Sequence, residues 1–91
     1  KDMAVKYLKS AVDNGYYNAA LDLGIIYGQL GDKDNSEKYL LLSLDKAKNN
    51  DALYHLGVLY YDQGKKDLAV KYLKQASANG DKDAKSMLDS M

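Results

Sequence analysis

Cysteine, arginine, tryptophan and phenylalanine are all missing from this chain of 91 residues. Without cysteine there is no disulfide, no thiolate metal site and no thiol nucleophile, and the redox character of the compartment leaves no mark, so localisation stays open. Arginine's absence matters because thirteen lysines balance thirteen acids, with no block of like charge. Such a chain has no basic stripe and none of the bidentate donors that grip phosphate or guanine, and no nucleic-acid partner is expected. Long apolar runs are lacking too. Stretches such as Leu40-Leu41-Leu42 fall far short of the roughly 20 residues that cross a bilayer, and no charged-then-apolar leader opens the chain, so no membrane partner is expected. A chain of this length fits one domain that buries roughly 60–65% of its unfolded surface, without room for a separate catalytic module.

What is present is repetition. Ala4-Val5-Lys6-Tyr7-Leu8-Lys9 returns unchanged as Ala69-Val70-Lys71-Tyr72-Leu73-Lys74, an offset of 65 residues. Between the copies, Leu23-Gly24-x-x-Tyr27 returns as Leu56-Gly57-x-x-Tyr60 at an offset of 33. The period is therefore 32 to 33 residues, the length of a stacked supersecondary unit. Because the chain starts at Lys1, without Met, in the middle of a repeat, it is expected to be a piece of a longer protein.

Two helix types alternate. From Asp2 to Asn14, Ala4, Val5, Leu8, Ala11 and Val12 share one face; Asp2 is placed to cap the start and Gly15 to close the end. Asp67 and Gly80 bracket the recurrence in the same way, predicting a helix from about Leu68 to Asn79, and a middle copy is expected over about Asn35 to Lys48. Lys6, Lys9, Lys71 and Lys74 form the polar faces of these B helices. Asn18 to Leu30 and Asp51 to Gln63 read as A helices beside Asn or Asp caps, ending at Gly31 and Gly64. The second is apolar almost all round, so the A helices are expected to be buried as an inner layer and the B helices to lie outside. Gly24 and Gly57 sit inside A helices, where glycine costs about 1 kcal/mol relative to Ala. The expected reason is close approach by Leu and Tyr of the paired B helix.

Leu53-x-x-Leu56-Gly57-x-x-Tyr60 followed by Ala69-x-x-x-Leu73 resembles the tetratricopeptide signature, with Leu53 in place of the usual Trp, and Ala20-x-x-Leu23-Gly24-x-x-Tyr27 with Ser36-x-x-x-Leu40 is a weaker copy. The stretch from Lys74 to Ala84 is similar to the junction of Sel-one-like repeats, and the tetratricopeptide proline is missing. The turn between A and B helices is nevertheless of the short tetratricopeptide kind. The resemblance implies an all-α, right-handed α-solenoid of antiparallel helix pairs with about six helices. Its parts would be a B helix of a partial repeat at 1–15, repeats at 18–49 and 50–80, and a terminal capping helix at 81–91. It also implies a non-catalytic scaffold for a protein or peptide partner, since these families mainly supply interaction surfaces.

Five of the nine tyrosines are periodic: Tyr7, Tyr39 and Tyr72 share one repeat position and Tyr27 and Tyr60 another, so all five read as core. Tyr54, Val58 and Tyr61 fall on one helical stripe, and Leu21, Ile25 and Gly28 occupy the same positions one period earlier. In proteins this chain resembles, that stripe faces a concave groove. It is therefore the candidate binding surface, with Asn18, Asp51 and Asp62 at its margin and an apolar or aromatic-bearing segment as the expected ligand. Alternatively the stripe packs against neighbouring helices of a longer array and the chain is a structural spacer, or the array is the peptide-sensing or dimerising half of a bacterial regulator.

No cofactor or metal site is expected. His55, the only histidine, follows Asp51 by one turn but has no second His or Cys to complete a site, and no cleft is expected to gather it with two carboxylates. Asp32, Asp34 and Asn35 lack the Gly and distal Glu of a calcium loop and read as capping residues. In the last segment Asp89 stands where Gly24 and Gly57 stand in earlier repeats, marking a cap. At the other end nothing upstream covers Ala4, Leu8 and Ala11. Either preceding sequence or another chain covers them, and end-to-end self-association through this helix is the second outcome.

Overall fold

The 3.6-residue pattern is realised throughout. The computed structural model describes residues 2–91, with side chains from Met3 onward, so the capping role expected of the Asp2 side chain lies outside the described residues. Six α-helices, one short 3-10 turn and no strand are found among them. The helices are α1 (Asp2–Asp13), α2 (Ala20–Gln29), α3 (Lys33–Lys46), α4 (Asp51–Asp62), α5 (Lys66–Ala78) and α6 (Lys82–Ser90), and the 3-10 turn Tyr17–Ala19 precedes α2. None is long and apolar enough to cross a membrane. The helices fall into two compact units, one up to Asn49 and one from Asn50 to Met91.

In the first unit α2 packs against both α1 and α3. Val12, Ala20, Leu23 and Tyr39 form the buried centre, with Val5, Leu8, Tyr17, Tyr27 and Leu42 packed around it. The A–B pair is held by three devices. Gly24 admits Leu40: a Cβ on residue 24 would lie 2.8 Å from Leu40 Cγ and 3.1 Å from its backbone N. Tyr27 and Tyr39 stack with ring centroids 5.7 Å apart, a pairing that adds about 0.5–1.5 kcal/mol to the area buried. Between them the buried Ser36 hydroxyl donates to the Gly24 carbonyl at 2.7 Å.

The second unit repeats two of the three. A Cβ on Gly57 would stand 2.5 Å from Leu73 Cγ, and Tyr60 stacks on Tyr72 at 5.5 Å. The expected close approach at Gly24 and Gly57 is therefore real, and the atoms nearest each missing Cβ belong to Leu. The tyrosines stack beside it instead. Ala69 replaces Ser36, so the third device has no counterpart. Helix α6 packs on α5 and touches α4, burying Ala84.

Helix starts differ from the sequence reading more than helix ends do. Asp67 does not cap α5: the helix begins earlier, with Lys65 at the N-cap and Asp67 inside the first turn, where its charge still complements the helix dipole. Asn18 does not cap α2 either, because the 3-10 turn intervenes and Ala19 occupies the N-cap without a side-chain bond. Asn50 precedes α4 but its side chain makes no cap bond. True caps are Asp32, which accepts from Asn35 N at 3.1 Å and Asn35 Nδ2 at 2.7 Å, and Asp81, which accepts from Asp83 N and Ala84 N at 3.0 and 3.1 Å. The side-chain and backbone bonds from Asn35 hold the Asp32 carboxyl below its ordinary range, since both favour the charged form.

At their C-termini α1 and α5 close alike. Gly15 and Gly80 take positive φ, and the amide after each bonds five residues back, Tyr16 N to Ala11 O at 2.9 Å and Asp81 N to Ala76 O at 3.1 Å. Helix α3 holds one more residue over this stretch. Its left-handed residue is Lys48, at φ 52, and Asn49 N reaches Ser43 O at 3.1 Å. This extra residue is where the period shifts between 32 and 33.

The largest departure from expectation is Tyr7. Read as core by its repeat position, it is 76% exposed, whereas its counterparts Tyr39 and Tyr72 are buried and half-buried. Those two lie against Tyr27 and Tyr60 of the A helix before them. Among the described residues α1 has no such helix before it.

Candidate functional site

Helix α4 carries Tyr54, Val58 and Tyr61 at i, i+4 and i+7, so the backbone alone aligns them along one stripe. Opposite this stripe Leu53, Leu56, Gly57 and Tyr60 are buried and anchor the helix. Tyr54 and Val58 are half-buried and Tyr61 is 47% exposed. Asp51 and Asp62 stand exposed at the two ends of the helix. These five residues therefore share a single helix.

The first unit carries the shorter version. Leu21 and Ile25 are half-buried on α2, and Asn18 is exposed in the 3-10 turn before it. Gly28 behaves differently from its counterpart Tyr61. A Cβ at residue 28 would sit 3.2 Å from Ser36 Oγ, so this position borders α3 and contributes no side chain to the stripe.

Beside Tyr54 lies His55, edge-on to its ring at 5.5 Å. Burial pulls the imidazole below its usual value of 6.5, opposed by the charges of Asp51 and Asp81. The sequence pairs His55 with Asp51 alone; the fold adds Asp81, the N-cap of α6. Both carboxylates line a shallow depression with Asn50, Ala76, Asn79 and Gly80, and His55 is not among its lining residues. Among the described residues no three His, Cys, Asp or Glu side chains gather so as to hold a metal ion.

A second surface escaped the sequence reading. Met3, Tyr7 and Tyr16 are all strongly exposed, and Tyr7 and Tyr16 line a depression with Ser10, Ala11 and Asn14. The signal was present in the uncovered Ala4, Leu8 and Ala11, which share the helix with Tyr7.

Among curated proteins none matches the chain. The tetratricopeptide repeat family matches it twice, over residues 16–50 and residues 51–79, together more than half of the chain. Repeats of this family generally mediate protein–protein interaction and scaffolding. With its paired helices, its Gly–Leu contacts and these two matches, the chain belongs to the tetratricopeptide-like repeat proteins.

Proposed function

We propose that the chain is a non-catalytic interaction module in which the A-helix stripe of each unit receives an apolar or aromatic-bearing peptide. Tyr61 carries this reading. It leaves a large ring 47% exposed beside half-buried Tyr54 and Val58, at a position where the other repeat manages with glycine, so the fold does not require it. Aromatic side chains of this kind, with an apolar body and a polar tip, are the usual anchors of binding hot spots. No lysine lies on the stripe, so acidic tails lack a counter-charge there, while Asp51 and Asp62 at its margin favour a ligand that brings donors or positive charge. The likeness of Lys74–Ala84 to Sel-one-like junctions supports placing the chain between the two repeat types.

A displayed peptide library selected on the chain tests the reading. Recovered peptides are expected to carry aromatic or branched apolar anchors. Tyr61→Ala is expected to weaken them about tenfold or more by fluorescence polarisation, with the thermal midpoint unchanged. Equal affinity for the two proteins removes the stripe from the function.

A further inference from the structure

We infer that the outward face of α1 is a docking surface for a further A-type helix, one carrying Leu-Gly-x-x-Tyr, supplied by an additional repeat joined ahead of it. The ground is residue-by-residue equivalence with α5, whose partner is known. On α5, Ala69 and Leu73 are 0% exposed and Ala76 is buried, because α4 lies over them. On α1, the counterpart of Ala69 is the exposed Ala4, while Leu8 and Ala11, counterparts of Leu73 and Ala76, are only half-buried. Tyr72 has the Tyr60 ring against it; Tyr7 has water.

The depressions agree. Ala76, Asn79 and Asp81 line one whose opposite wall is Asn50 and Asp51, at the start of α4. Their counterparts Ala11, Asn14 and Tyr16 line the other, together with Tyr7. The α1 face thus repeats the surface that an A helix covers in the second unit.

The required partner chemistry follows from the same contacts. Leu73 fits because Gly57 has no Cβ, and a Cβ there would lie 2.5 Å from Leu73 Cγ. A helix seated on Leu8 in that manner needs glycine opposite it, and a tyrosine one turn later to stack on Tyr7. A second copy of this chain does not supply that helix: Gly24 and Gly57 are already filled by Leu40 and Leu73, and α6 brings Asp89 to the glycine position. A joined repeat is favoured because Lys1 aligns with Lys66, the first residue of α5, which follows α4 after only Gln63, Gly64 and Lys65. A helix packed on α1 as α4 packs on α5 therefore ends beside α1's own start.

The test extends the chain by a copy of residues 50–65 placed directly before Lys1. The extended protein is expected to melt roughly 5 °C or more above the parent, and Tyr7 to lose its reactivity toward tetranitromethane while Tyr61 keeps its own. Gly→Leu at the glycine of the added copy is expected to abolish both effects. Tyr7 remaining as reactive as Tyr61 in the extended chain overturns the inference, as does protection that survives the Gly→Leu change. A parent chain that sediments as a dimer with Tyr7 already protected also overturns it, in favour of a second copy.

Discussion

The α2–α3 and α4–α5 pairs use one plan with different fillings. Both seat a leucine where a glycine lacks its Cβ, and both stack a tyrosine pair beside it. The first pair then places Ser36 and Ser43 where the second has Ala69 and Ala76. Ser36 earns its place through a bond to the Gly24 carbonyl, whereas the Ser43 hydroxyl is fully buried without a partner. At the helix end the first pair holds Lys48 in the left-handed region that glycine occupies in α1 and α5. On the outer stripe the relation reverses, with Tyr61 facing outward where the first pair has Gly28. The second pair has the cleaner core and the richer surface. The shared features are those without which two helices cannot approach, and the variable ones leave that approach intact.

The strongest break of this comparison acts on what the pairs share. Gly57→Leu is expected to cost about 3 kcal/mol or more, at the upper end of overpacking, because Leu73 and its helix must move. Gly24→Leu should cost less, since its missing Cβ lies slightly farther from Leu40; urea unfolding of both variants checks the order. Next come the serines, with opposite signs on one helix. Ser36→Ala is expected to destabilise by about 1 kcal/mol, and Ser43→Ala to stabilise by about the same, since it removes an unpaired buried hydroxyl. If both variants destabilise, Ser43 has a partner in solution.

Lys48→Gly should raise stability by roughly 0.5–1 kcal/mol in the same measurement, because glycine enters the left-handed region freely. The smallest effect belongs to pH. The folded value of His55 is lowered from 6.5, so the unfolded chain binds the proton more readily, and stability is lost as pH falls from about 6.5 toward the lower folded value. A urea midpoint measured between pH 7.5 and 5.5 should drop more for the parent than for His55→Gln. Equal slopes would assign the drop to other groups.

Much of this was legible in the chain. The helix types, the turns at glycine and the close approach at Gly24 and Gly57 all follow from period and residue size. The candidate stripe was legible as a spacing, but only coordinates distinguish Gly28, bordering Ser36, from the projecting Tyr61. The misread starts have a common cause. Asp67 and Asn18 are sound capping residues by type, yet the preceding turns decide which residue takes the N-cap, and an aspartate one step inside the helix still gains from its dipole.

By itself the sequence determined the period, the alternation of A and B helices and the glycines through which they meet, because these depend on spacing and side-chain size that recur in phase. Tertiary structure decided which member of a repeated set is core. Tyr7, Tyr39 and Tyr72 share one position, yet Tyr7 stands in water and Ser43 lies buried without a bond. Burial and hydrogen bonding belong to a residue's neighbours in space, and a repeat at the edge of a stack has different neighbours from one inside it.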